Sequence, residues 1–198
     1  MKTRLLCGMS ILIVIALLLA GCQPTASGTP AAGASQTNNA AATYCTQSGG
    51  TVETRYPFYG TGGSNPLQLA GSLQVCTFTA PDKSQMFVAL DTLYTDQPTL
   101  AALAYEAKVP MASTQPSGNP SSFYCTQLGG TDAFGGVNAA GGGWAKADAS
   151  DVIAMCIFPD LSTIDSWGLT YHSQGTVRGA DLTNLLRYKP PQAPKVYP

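Results

Sequence analysis

The octet "YCTQSGGT" fills Tyr44–Thr51 and returns as "YCTQLGGT" at Tyr124–Thr131, 80 positions later with one letter changed. The phrase holds no obvious catalytic group, so its repetition speaks to construction before chemistry. In the second copy, "NPSSFYCTQLGG" offers Asn119 as an N-cap, Pro120 at the first helical position and Gly129 as the stop. That order predicts a short helix with Tyr124 and Leu128 on one side and Cys125 beside them. The phrase then reads as an apolar helix face that carries a cysteine into a core.

Outward from the octet the same offset recurs. Gly62-Gly63 answers Gly142-Gly143, Cys76 with Phe78 answers Cys156 with Phe158, and Pro110 answers Pro190. The register slips by two where "PDKS" (Pro81–Ser84) meets "PDLS" (Pro159–Ser162), as an insertion in the first copy would produce. After the first octet, "TVETRYPFY" alternates Val52, Thr54 and Tyr56 against Glu53 and Arg55, the pattern of a half-exposed strand. "SLQVCTFT" and "DVIAMCIF" read as returning strands, the second apolar on both faces and so expected to be the more buried. Thr99 and Asp181 are N-cap residues for a closing helix in each copy. The expected class is α+β: two tandem small units, each a short helix, an antiparallel hairpin or small sheet, and a closing helix. Their bounds are 42–110 and 119–190, with a turn-rich linker at 111–118 and a proline-rich tail at 191–198.

Cysteine usage agrees with this plan. Of six cysteines, Cys7 and Cys22 belong to the N-terminal segment, leaving Cys45, Cys76, Cys125 and Cys156. An even set in an exported chain points to disulfides. Cys45 to Cys76 and Cys125 to Cys156 are each 31 positions apart, which favours one bridge inside each unit. On the chain-entropy model each such loop contributes about 3–4 kcal/mol. Zinc would need tight pairs such as C-x-x-C, and the sequence has none, so no metal and no cofactor is expected.

The N-terminus, "MKTRLLCGMSILIVIALLLAGC", combines Lys2 and Arg4 with an apolar run from Ile11 to Ala20. It reads as a signal peptide over residues 1–21. Leu19-Ala20-Gly21-Cys22 has the small residues before cysteine that suit lipidation and cleavage, as in a bacterial lipobox. Membrane lipid on acylated Cys22 would then be the first partner, since two or three chains anchor a protein stably where one does not. Residues 22–41 are small and polar and read as a flexible tether, roughly 25 Å in reach. The expected location is outside the cytoplasm, lipid-anchored to the cell membrane or outer membrane. Ten basic residues less Lys2 and Arg4 leave eight against eleven acidic ones, with no basic stripe, which sets nucleic-acid binding aside.

The second unit resembles a family of small bacterial lipoproteins and envelope proteins, domain of unknown function 333, which carries a haemolysin label. The family pattern runs N-P-A-x-x-Y-C-x-x-x-G-G and then C-x-F-P-D-G-S-x-C-x-x-W-A. Here it is answered by Asn119-Pro120, Tyr124-Cys125, Gly129-Gly130, Cys156-Ile157-Phe158-Pro159-Asp160-Leu161-Ser162, Asp165 and Trp167. The first unit is a degenerate copy that keeps Tyr44-Cys45, Gly49-Gly50 and Cys76-Thr77-Phe78. Ile164 stands where the family's third cysteine is expected, and no cysteine follows Tyr171-His172, so apolar packing would replace a second bridge. The resemblance implies a small disulfide-linked envelope module and supplies no catalytic residues. Membrane lysis, which the label suggests, is disfavoured because neither unit has a basic amphipathic segment.

The sequence gives weak support to catalysis. A hydrolase would need a base oriented beside a nucleophile. The single histidine, His172, has Asp165 seven positions earlier but no G-x-S-x-G elbow, and reads as a surface residue. Asp148, Asp151, Asp160 and Asp165 sit in turn-like or capping contexts, and Gly135-Gly136 with Gly141–Gly143 reads as a hairpin tip and not a phosphate loop. Trp167 reads as core filling. Tyr56, Phe58, Tyr59 and Trp144 are the binding candidates, since aromatics beside glycine-rich turns could stack on sugars or anchor a protein. The reading is a noncatalytic binding or structural module for an envelope protein or glycan, with an envelope hydrolase as the alternative.

Overall fold

The computed structural model describes residues 32–114, 118–132 and 141–188, with side chains from Asn39 onward. The signal peptide, residues 22–31 of the tether with Cys22, part of the linker, Gly135-Gly136 and the tail at 191–198 lie outside the described residues.

Helix α1 (Ala32–Gln47) begins inside the stretch read as tether and runs into the first octet. Its alanines favour helix, and Ala41 and Cys45, one turn apart, are fully buried. Helix α4 (Pro120–Gln127) starts as expected, with Asn119 Oδ1 accepting from the Ser121 N–H at 3.0 Å. Tyr124, Cys125 and Leu128 are all buried.

Both helices end identically. Gly49 and Gly129 adopt φ +84°, the left-handed stop. The next glycine donates its N–H back to the bridge cysteine's own carbonyl, Gly50 to Cys45 at 2.9 Å and Gly130 to Cys125 at 3.0 Å. The disulfides are Cys45–Cys76 and Cys125–Cys156, with Cα atoms 5.7 and 5.5 Å apart. They lie directly on those second glycines. A Cβ on Gly50 would sit 2.3 Å from Cys76 Sγ, and one on Gly130 would sit 2.5 Å from Cys156 Sγ.

From each glycine pair the chain enters a single curled antiparallel sheet. The strands are β1 (Thr51–Tyr59), β2 (Leu67–Gln68), β3 (Leu73–Thr79), β4 (Gln85–Ala89), β5 (Thr131–Asp132), β6 (Gly142–Ala145), β7 (Met155–Ile157) and β8 (Thr163–Asp165). β3 and β4 form one hairpin, β7 and β8 another, and β4 pairs with β8 through Val88 and Ile164. One row of paired residues therefore crosses the sheet as Val52, Cys76, Val88, Ile164, Cys156 and Asp132. Its order is palindromic about the Val88–Ile164 contact, with a disulfide cysteine on each side. The turn residue Ala80 lies four positions after Cys76 but Phe158 only two after Cys156, which is the slip seen in the sequence. The return arms differ by two as well, from Ser84 to Val88 against Ser162 to Ile164. Both turns place a non-glycine residue in the left-handed region, Lys83 at φ 69° and Leu161 at φ 66°.

The helices pack on the sheet face that carries Cys76, Phe78, Met86, Val88, Cys156 and Ile164, and the two halves share this core. They are α1, α4, α2 (Leu90–Leu93), α3 (Leu100–Ala107) and α5 (Ser166–Ser173). Polar contacts cross between the halves in both directions. The Tyr44 hydroxyl donates to the Leu185 carbonyl at 2.8 Å, while the Tyr124 hydroxyl donates to the Val109 carbonyl. Asp160 and Ser162, from the β7–β8 turn, accept from the first N–H groups of α3, Leu100 at 2.8 Å and Ala101 at 3.0 Å.

The opposite face holds a smaller apolar cluster of Val75, Phe87 and Met155, with Leu73, Trp144 and Ile153 against it. Phe58 and Tyr59 pair with β2 on one edge of β1 and with β6 on the other. A mutual Trp144–Ile153 bridge, with both hydrogen bonds 2.9 Å, then ties β6 to the chain entering β7 and curls the sheet over this cluster. Under the curl Arg55 is buried, a correction to its reading as an outward residue. Its guanidinium meets Glu53 at 2.8 Å, the Asp151 carbonyl at 3.0 Å and the face of Phe87 at 4.7 Å. Period two failed there because the second half of β1 is covered on both sides.

β7 spans only three residues and none of them is exposed, whereas two of the seven in β3 are, in line with the more apolar run of the second copy. One further expectation changes. The closing helix forms at α3, where Thr99 Oγ1 accepts from the Ala102 N–H at 3.2 Å. In the second half Asp181 caps only a 3-10 turn, Leu182–Asn184, because the chain leaves helical geometry to donate the Arg187 N–H to the Leu93 carbonyl.

The packing of sulfur on glycine makes a direct prediction. Gly50→Ala and Gly130→Ala should each lower stability by about 1–3 kcal/mol through overpacking. Thermal unfolding under nonreducing conditions reads the loss, and wild-type midpoints in both variants would contradict it.

Candidate functional site

His172 is not at the surface. It is 3% exposed, and its ring stacks on Tyr105 with centroids 3.7 Å apart and planes 9° from parallel. Its Nε2 has no hydrogen-bond partner. Burial pushes its pKa down, and the nearby Lys108 charge adds to this. Tyr105 in turn bonds Asp181 at 3.2 Å and accepts from the Leu182 N–H at 3.0 Å. Among the described residues no hydrogen bond joins His172 to Asp165 or to a serine. The arrangement holds the imidazole in the core between α3 and α5, where burial favours its neutral form.

The four aromatic candidates come together on one strand pair but differ in exposure. Across β1 and β6, Tyr56 faces Ala145, Pro57 faces Trp144, Phe58 faces Gly143 and Tyr59 faces Gly142. Phe58 is buried and Tyr56 half-buried, whereas Tyr59 is 41% exposed. Trp144 is half-buried against the Val75–Phe87–Met155 cluster. The aspartates mostly serve local structure. Asp148 accepts from the Ser150 N–H at 2.8 Å, and Asp151 joins the Arg55 and Lys146 network.

The exception is Asp165, at the edge of a pocket of about 400 Å³. The pocket lies between the β3–β4 turn and α5 and is lined by Lys83, Gln85, Phe87, Asp165, Trp167 and Arg178, among others. Its geometry is fixed locally. Asp82 Oδ1 accepts from the Ser84 N–H at 2.9 Å, and the Ser84 hydroxyl accepts from the Gly179 N–H at 3.1 Å. Gly179 lies so close to the hairpin that a Cβ there would be 2.3 Å from the Phe78 carbonyl oxygen. This contact draws Arg178 to the pocket. On α5, Trp167 and Tyr171 are one turn apart with ring centroids 5.8 Å apart, and the Arg178 guanidinium lies 5.2 Å from the Tyr171 centroid. An indole, a phenol and a cation thus form a continuous rim.

Asp165 is 4% exposed and caps α5, accepting from the Trp167 N–H at 2.9 Å. Burial pushes its pKa up to about 6, against the pull of the Gly168, Trp167 and Phe87 backbone N–H groups and the Arg178 charge. Sequence reasoning named Asp165 as a cap and Trp167 as core filling. It missed their meeting with Lys83 and Arg178, which lie 95 positions apart and are brought to one pocket where the turn meets the loop. The Trp167-x-x-x-Tyr171 spacing was the available signal.

The raised Asp165 pKa has a defined pH consequence. The folded chain holds this proton between about pH 4 and 6 where the unfolded chain has released it. The resulting stability is complete below that window and lost as pH rises through 6. His172 acts oppositely, since its depressed pKa costs stability as pH falls below the ordinary histidine range. Asp165→Asn keeps a capping oxygen and removes the titration. Its thermal midpoint relative to wild type should therefore rise between pH 4.5 and 7.5, by the equivalent of about 2 kcal/mol. A constant offset across that range would contradict the assignment.

Among the described residues no helix is long and apolar enough to cross a membrane, and no cluster of His, Cys, Asp and Glu could hold a metal ion. Compared with known protein families, curated proteins and solved structures, the chain matches none.

Proposed function

We propose that this chain is a lipid-anchored envelope protein whose folded part is a noncatalytic binding module, organised as two tandem, interlocked units. The observation that carries the reading is the lipobox Leu19-Ala20-Gly21-Cys22 leading into a disulfide-bridged body. Disulfides persist in oxidising compartments, which agrees with export. Burial of His172 against Tyr105 supports the noncatalytic reading, because it takes away the one imidazole a hydrolase would use. The palindromic residue row and the paired Tyr44–Leu185 and Tyr124–Val109 contacts support the tandem reading. The resemblance of the second unit to an envelope lipoprotein family points the same way.

The test joins anchoring to binding. Full-length protein produced in a bacterial host should take up labelled palmitate and fractionate with membrane, and Cys22→Ala should abolish the label. The detergent-solubilised protein should co-sediment with purified cell-wall polysaccharide or cross-link to an envelope protein. An unlabelled wild type in the cytoplasmic fraction would overturn the anchoring. Absence of both kinds of capture would overturn the binding reading.

A further inference from the structure

The pocket beside α5 has a chemistry that names its ligand more closely. At about 400 Å³ it lies toward the small end of ligand sites and has room for one or two sugar rings. One wall is the half-buried indole of Trp167, continued outward by the Tyr171 ring. Two cations reach it from different segments, Lys83 from the β3–β4 turn and Arg178 from the loop after α5. Arg178 is steadied by its cation–π contact and by the Gly179–Ser84 hydrogen bond next to it. The buried carboxyl of Asp165 completes the lining.

Resting on the binding reading above, we propose that this pocket binds a sugar acid, with Trp167 against the ring face, Arg178 and Lys83 on the carboxylate, and Asp165 accepting from a hydroxyl. Each element excludes an alternative. A neutral sugar would leave the Asp165 carboxyl as the one acidic group in the lining against two cations. A cationic ligand would face both Lys83 and Arg178. Two cations in a mildly acidic chain are too few for a polyphosphate backbone. A guanidinium offers the paired donors that a carboxylate accepts, and a flat aromatic wall matches the C–H face of a pyranose.

The probes are D-glucuronate, D-glucose and acetate, titrated into the full-length protein in detergent micelles. Calorimetry follows affinity, and NMR follows the two tryptophan indole N–H signals. Glucuronate should bind at least tenfold more tightly than glucose or acetate and should shift the Trp167 signal. Arg178→Ala and Trp167→Ala should each weaken it tenfold or more, and Lys83→Asn, which suits the left-handed turn, severalfold. Unchanged thermal midpoints would separate these losses from misfolding. Equal affinity for glucuronate and glucose, an unmoved Trp167 signal, or full binding by a folded Arg178→Ala would overturn the proposal. If envelope capture persists undiminished in Arg178→Ala, the binding module stands and this pocket is not its site. If wild type captures nothing from the envelope, the module reading fails by itself.

Discussion

A disulfide lying on a glycine, built twice, is the contact from which the rest of the molecule follows. In each case a helix delivers a cysteine, the chain reverses through a left-handed glycine, and the next residue must lack a side chain because two sulfurs occupy that space. The bridge then joins the helix to the central part of the sheet and not to its edge. For chains with small cores such a clamp matters, since it limits the unfolded ensemble by about 3–4 kcal/mol per loop. It also ties each helix to the residue row that crosses the sheet through Cys76 and Cys156.

That register explains why the halves are not separate bodies. Each half places its bridge cysteine next to a branched apolar residue, Val88 or Ile164, and those two residues pair with each other. The helices of both halves then bury one shared face, and the tyrosine of each octet bonds a carbonyl of the other half. Asp160 and Ser162 extend the exchange by capping α3 from across the sheet. Divergence falls on the opposite face, where Arg55 and its carboxylates close one end and the Asp165 pocket opens at the other. The shared face carries stability, and the other face is where chemistry could vary.

The local grammar of the chain was legible from its letters. Asn119, Pro120 and Gly129 marked α4, Thr99 marked the start of α3, and the equal cysteine spacing gave the bridges seen in the structure. Long-range closure was less legible. Alternation in "TVETRYPFY" assumes one wet face, but β6 and the Asp151 turn cover it and turn Arg55 inward. His172 looked exposed because nothing local announces a stacking partner 67 positions away at Tyr105. The pocket was hidden for the same reason: Lys83 and Arg178 line it together because a turn serine accepts from a distant glycine N–H. Residues close in sequence could be read, whereas those brought together by the curl could not.

Since the clamp governs this architecture, the bridge pattern is its most direct test. Peptide mapping of the protein digested without reduction should recover Cys45 joined to Cys76 and Cys125 joined to Cys156, with no mixed species. A Cys45–Cys125 bridge, or free thiols at these four positions in protein from an oxidising compartment, would contradict the account.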